Sequence, residues 1–225
     1  MKRVIFLSIL LCLAIGLSAQ NAVAYLSANR GRVEMFRQNR QVRFRAGEML
    51  QHEDQIRTGN DSYAAYRFID GSSQVRIFAN SNVRIRAAVS NGTLAKNTTV
   101  TRGRVHSNVS RNTGSYRVET ATTVASVRGT EFLTDVDEED NSRFIVVDGT
   151  VAVTIKATGE TQMVGRGKTA VVDKDGNVEV GNSSEEDLEM LAAAADAAGS
   201  QPSMRTIMVP VQNEAGQIKY IEIRY

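Results

Sequence analysis

From Ala22 to Val180 the chain is a succession of short segments in which apolar and polar residues alternate, each closed by Gly, Asn, Asp or Ser. A period of two is the mark of a strand with one wet and one buried face, and repetition about every ten residues argues for an all-β fold. Candidate strands are 23–26, 32–36, 41–44, 55–58, 63–69, 74–78, 82–87, 98–101, 104–109, 116–120, 123–127, 131–135, 143–147, 150–155, 161–164, 169–172 and 178–180. A loose unit of Gly, any residue and Val opens several of them, at Gly31-Arg-Val33, Gly103-Arg-Val105 and Gly149-Thr-Val151. Its spacing is irregular, so it is a recurring corner rather than a strict repeat. Two architectures satisfy the pattern. One is a coiled β-solenoid or roll of short rungs around a shared core, and the other is an antiparallel sandwich with tight hairpins.

Composition narrows the interior and the chemistry. Trp is absent and aromatics make up 6% of the chain, so the core must be built mainly from Val, Ile and Ala with a few Phe and Tyr. Residues 1–19 begin with Lys2 and Arg3, continue in an unbroken apolar run and end in small residues before Gln20, which reads as a secretory signal peptide cleaved near Ala19. The run is shorter than the roughly 18–20 residues of a membrane span. Cys12 follows Leu11, whereas a lipid-attachment cysteine requires a small residue before it. The expected mature chain has no cysteine, which excludes disulfides, a thiol nucleophile and thiolate metal sites. Export to the periplasm or medium of a bacterium, with no transmembrane span in the mature chain, is the expectation.

The net charge of +2 conceals segregation: 21–128 carries 17 Lys and Arg against 7 Asp and Glu, whereas 129–201 carries 5 against 16. A basic half can signal nucleic acid or anionic lipid. Here the arginines occupy alternate positions, as in Val83-Arg-Ile-Arg86, and read as the solvated face of strands, with attraction between the halves as a second contribution. No nucleic-acid partner is expected.

At Ser183 the pattern changes. Ser183-Ser-Glu-Glu186 forms a capping box, acidic residues fill the first turn, and strong helix formers run to Gly199. Beyond it, Met204–Val211 and Gln217–Tyr225 flank a turn at 213–216 and predict a hairpin, a sheet edge that docks on the domain or on a partner. The expected organisation is a signal peptide at 1–19, a β domain at 22–181, a helix or linker at 183–199 and a terminal β-hairpin at 204–225.

Catalytic groups are sparse. His52 and His106 lack partners at metal-ligand spacing, and His106, on a strand, is expected at the surface; no nucleophile elbow, phosphate loop or dinucleotide motif occurs. The densest acidic run, Asp135 to Asn141, offers Asp135, Asp137 and Asp140 as oxygen ligands for calcium, although a solvated hairpin loop accounts for it without a metal. Asp173-Lys-Asp-Gly-Asn177 resembles the first half of a calcium loop, but the twelfth position is Ser184 instead of Glu, so a hairpin is the better reading. No cofactor is expected.

The segment Val127-Arg-Gly-Thr-Glu-Phe132 closely resembles the signature of the FecR domain, the extracytoplasmic part of the iron-dicitrate sensor family. The likeness extends over roughly 31–172. Gln55-Ile-Arg-Thr-Gly59 looks like the family's "GD-x-I-x-T-G" segment with Glu53-Asp54 in place of the glycine. Ser62 to Ser72 matches the next strand and its Asp-Gly-Ser turn, and Val147-Asp-Gly-Thr-Val151 matches a "V-x-x-G-x-V" rung. Such regulators look like a cytoplasmic anti-sigma segment, a membrane span and then this domain; here a signal peptide is expected in the place of the first two, so the anti-sigma mechanism is not carried over and the resemblance implies only a secreted or periplasmic scaffold. Within the motif, Gly129 is expected at a backbone position that excludes Cβ, Thr130 to hydrogen-bond nearby backbone, and Arg128 and Glu131 to pair or to bind an anion. Val127, Phe132, Asp148 and Gly149 complete the structural set. The expected function is a non-enzymatic binding, signalling or envelope-assembly module, its partner another envelope protein. The alternative is a structural protein associated with cell wall or carbohydrate, disfavoured because few aromatics are available to stack on sugars.

Overall fold

The structure, a computed structural model, describes residues 22–90, 92–111, 114–199, 206–212 and 218–224. The predicted signal peptide and the turn of the terminal hairpin lie outside the described residues. In chain order the strands are β1 (Ala22–Arg30), β2 (Val33–Arg37), β3 (Arg40–Val42), β4 (Met49–Gln51), β5 (Gln55–Thr58), β6 (Tyr63–Phe68), β7 (Ser73–Ile77), β8 (Asn82–Ser90), β9 (Thr93–Val109) and β10 (Tyr116–Glu119). They continue with β11 (Thr123–Val127), β12 (Glu131–Val136), β13 (Ser142–Asp148), β14 (Thr150–Ile155), β15 (Thr161–Gly165), β16 (Lys168–Val172) and β17 (Val178–Asn182). Helix α1 (Glu185–Gly199) and a separate antiparallel pair, β18 (Thr206–Gln212) and β19 (Ile218–Arg224), complete the described elements.

Two leaves share β9. The first runs β4-β1-β6-β7-β9-β12-β13-β16-β17. The second runs β3-β2-β5-β8-β9-β10-β11-β14-β15. Every pair is antiparallel except β9 with β10, so the chain crosses repeatedly between the leaves without stacking parallel rungs. Facing leaves are the sandwich feature of the sequence reading, and repeated crossing is its coiled feature. The two strands expected at 98–101 and 104–109 are one strand, because the left-handed backbone of Gly103 bends β9 from the second leaf into the first without ending it.

The alternation foreseen in the sequence builds the interior. Leu26, Tyr66, Phe68, Phe132 and Phe144 from the first leaf meet Met35, Ile56, Val83, Val118 and Val153 from the second in one fully buried cluster. Tyr66, Phe68 and Tyr116 pack edge to face, with ring centres 5.5 and 6.1 Å apart. Tyrosine, threonine and serine hydroxyls pair within this core: Tyr116 donates to Thr98 Oγ1 at 3.0 Å, and Ser107 Oγ lies 2.9 Å from the Tyr116 hydroxyl. Burial pushes the Tyr116 phenol up to about 12.

The outer face of the first leaf is also covered. Tyr63, Ala65, Phe78, Leu133 and Ile145 form a second cluster with Ala194, against which Met190, Leu191 and Ala197 pack. The alanine-rich helix therefore docks on the sheet rather than bridging to a remote segment. Its capping box is one residue later than the sequence suggested: Asp187 N donates to Ser184 Oγ at 3.2 Å, and Ser184 N donates to Asp187 Oδ2 at 2.8 Å. The sheet selects this register, because Asp187 also accepts from Thr169 Oγ1 at 2.8 Å; Arg143 donates to Asp187 at 2.8 Å and also to the exposed Glu186 at 3.2 Å.

Candidate functional site at the glycine corner

The motif residues lie where the chain leaves β11 in the second leaf and enters β12 in the first. Val127 and Phe132 point into the core, the latter fully buried. Between them Gly129 has φ +70° and Gly149, at the return from β13 to β14, has φ +83°. A Cβ on Gly149 would stand 2.8 Å from Gly129 O and 3.1 Å from Thr130 Cα, so the two corners are stacked backbone on backbone. Thr130 locks them by donating its hydroxyl to Thr150 O at 3.1 Å, as the sequence suggested. Its own carbonyl accepts from Val109 N at 3.0 Å.

Arg128 and Glu131 are not brought together. Glu131 sits 3.0 Å from His106 Nε2, and Arg128 is exposed. His106 itself is buried, contrary to the surface position expected for it, because it lies between Arg76 and Leu133 on the face over which α1 packs. Burial lowers its pKa; the Glu131 carboxylate opposes that shift, and the Arg76 charge reinforces it. Asp148 is exposed beside Gly149.

The three aspartates considered for calcium do not converge. Asp135 is 3.4 Å from Arg104 Nε, and Asp140 is an exposed turn residue with φ +67°. Asp137 spends its carboxylate on the turn, accepting from Glu139 N, Asn141 N and Asn141 Nδ2. Asp173 repeats this arrangement with Asp175 N, Asn177 N and Asn177 Nδ2, and Lys174 N of that loop donates to Asn141 Oδ1 at 3.0 Å. The shared spacing Asp-x-x-x-Asn was visible in the sequence and marks two sister hairpin loops. Among the described residues no group of three or more His, Cys, Asp and Glu is placed to hold a metal ion.

The Asp-Gly-Ser turn has a role that strand patterning did not reveal. Lys96, whose side chain is fully buried, donates to Asp70 Oδ2 at 2.6 Å and to Ser72 Oγ at 2.7 Å. Burial alone would raise the Asp70 pKa, but hydrogen bonds from Lys96 and Ser72 hold it below the ordinary value. The available signal was parity: Lys96 shares the inward side of β9 with Thr98 and Val100. Asp54, in the segment that resembles the family's "GD-x-I-x-T-G", is likewise buried and receives Arg37 at 2.7 and 2.9 Å. Glu53, at the position where the family has glycine, adopts φ +70° while its carboxylate is held by Arg84 and Arg86.

Comparison with known proteins agrees with this geometry. The profile of the family described as FecR protein matches residues 54–152, a span that includes Asp54, Asp70, Lys96, the whole motif and Gly149. No curated protein matches the sequence. Two crystal structures of candidate anti-sigma factors from Parabacteroides distasonis are similar in fold. One aligns with a TM-score of 0.52 at 14% identity over 72% of this chain and 70% of its own. The other aligns with a TM-score of 0.51 at 17% identity over 61% of this chain and 63% of its own, so the match spans less than two thirds of that protein's length.

Proposed function

We propose that this chain, which carries a FecR domain over residues 54–152, is an exported, non-enzymatic module that binds or signals through protein–protein contacts at the bacterial cell envelope. The observation that carries the reading is how the motif's groups are used. Phe132 fills the core, Gly129, Thr130 and Gly149 build the corner, and Glu131 is held by His106. What remains outward at the site is Arg128, Asp148 and strand edge, groups suited to gripping another chain rather than to transforming a substrate. The fold likeness to candidate anti-sigma factors supports a regulatory setting. The basic and apolar composition of residues 1–19 supports export.

Cell fractionation followed by cross-linking and mass spectrometry tests the proposal. The expected result is recovery outside the cytoplasm with one stoichiometric protein partner. Retention only on cell-wall polymer would overturn it in favour of a structural wall-associated role.

A further inference from the structure

Two surface recesses differ in how their charge is balanced. One, of about 380 Å³, is lined by Arg102, Arg104, Asp135 and Glu138 among others, and its cations are already matched, Arg102 with Glu138 and Arg104 with Asp135. The other, an open recess of about 520 Å³ at the glycine corner, has Arg111 and Arg128 as its only charged lining residues among the described ones. Arg117 stands directly across β10–β11 from Ser126, which also lines it. All three arginines are exposed, and none pairs with a carboxylate among the described residues. Among the described lining residues the charge of this recess is therefore positive.

Beside it lies an open strand edge. Met163 lines the recess, is 64% exposed and belongs to β15, which pairs with β14 and with no other strand among the described residues. Strand β16 cannot cover that edge, since both its sides are taken by β13 and β17. The hydrogen bond from Ile155 N to Glu160 O sets the phase of the β14–β15 ladder. By the alternation of antiparallel pairs, the backbone groups of Gln162 and Val164 bond to β14, and those of Thr161, Met163 and Gly165 face outward.

We propose that this recess and the open edge of β15 together dock an acidic, extended segment of the partner protein. The segment adds as a strand to β15 and sets a carboxylate between Arg111 and Arg128. The proposal rests on the protein-binding function above and names its site. An incoming strand supplies the alternating donors and acceptors that the edge lacks, guanidinium groups match a carboxylate in geometry as well as charge, and Met163 offers an adaptable apolar contact. A lipid headgroup or nucleic acid would satisfy the arginines but not the row of backbone groups beside them.

Fluorescence anisotropy with the purified full chain tests this, using a labelled peptide of about eight residues that alternates valine and glutamate, and a twin with lysine in place of glutamate. The acidic peptide is expected to bind saturably and the lysine twin not to bind. Arg111→Glu with Arg128→Glu should weaken binding by about tenfold or more. Met163→Pro removes an outward N–H while leaving the β14 ladder intact, and should abolish it. Arg40→Glu with Arg43→Glu, remote from the corner, should leave binding unchanged, and circular dichroism checks that each variant is folded. Failure of the acidic peptide to saturate, equal binding of both peptides, or indifference to Met163→Pro would overturn the proposal. So would dimerisation of the full chain that Met163→Pro abolishes, which would give the edge to a second copy. If the envelope partner cross-links equally well to wild type and to the double arginine variant, this site is wrong while the function stands; if only wall polymer is recovered, the function fails as well.

Discussion

Replacing Gly149 with Ala isolates the contribution of the stacked corners. At φ +83° a side chain costs about 1–2 kcal/mol, offset by about 0.4–1 kcal/mol because alanine restricts the unfolded chain. The new methyl also meets Gly129 O at 2.8 Å, Thr130 Oγ1 at 2.9 Å and Thr130 Cα at 3.1 Å. Most of these are backbone atoms that cannot swing aside, so overpacking adds about 1–3 kcal/mol. The expected loss is about 2–4 kcal/mol, which for a domain of this size lowers the melting temperature by about 5–15 °C. Gly71→Ala is the control: its φ is +69°, but an added Cβ meets nothing within 4 Å, so only the backbone cost applies, about 1 kcal/mol. Thermal and urea unfolding followed by far-ultraviolet circular dichroism measure both. Equal destabilisation of the two variants would refute the claim that the corners support each other by contact.

Three further outcomes follow from buried polar groups. Lys96→Met should cost about 1–3 kcal/mol in urea unfolding, since it strands Asp70 and Ser72 without their buried donor. It should also flatten the acid limb of stability. The folded Asp70 pKa lies below its ordinary value, so its contribution is present above about pH 4 and is lost as pH falls through the folded pKa. His106→Gln should remove a separate slope at milder pH: the folded imidazole pKa is lowered, so the wild type loses stability as pH falls from about 6.5 through that lowered value, and the variant should not. Asp187→Ala should release the start of α1 at a cost of about 1–3 kcal/mol, read as lost amide protection in that helix by hydrogen exchange, whereas Glu186→Ala should change protection little.

Much of the fold was legible because a strand's faces are set by residues two apart. Phe132, Phe144 and Val153 announce their inward side through their neighbours, and the Asp-Gly and Asp-x-x-x-Asn turns announce their own ends. His106 illustrates the limit: nothing within β9 says that a helix more than seventy residues later will close over its face, so an outward position was mistaken for a wet one. The cap register of α1 shows the same limit, for Glu186 and Asp187 are equally good local partners and both reach Arg143, so that the buried Thr169 hydroxyl chooses between them.

By itself, the sequence determined the all-β class, the strand faces, the corner positions of Gly129 and Gly149 and the likeness of Val127 to Phe132 to a FecR signature, since each depends on a few neighbouring residues. Only the tertiary structure decided which charges are satisfied. Arg37 and Lys96 find Asp54 and Asp70, whereas among the described residues Arg111, Arg117 and Arg128 form no ion pair and stand near a strand, β15, that pairs on one side only. Ion pairing acts across a few ångströms of space, and separation along the chain does not report that distance.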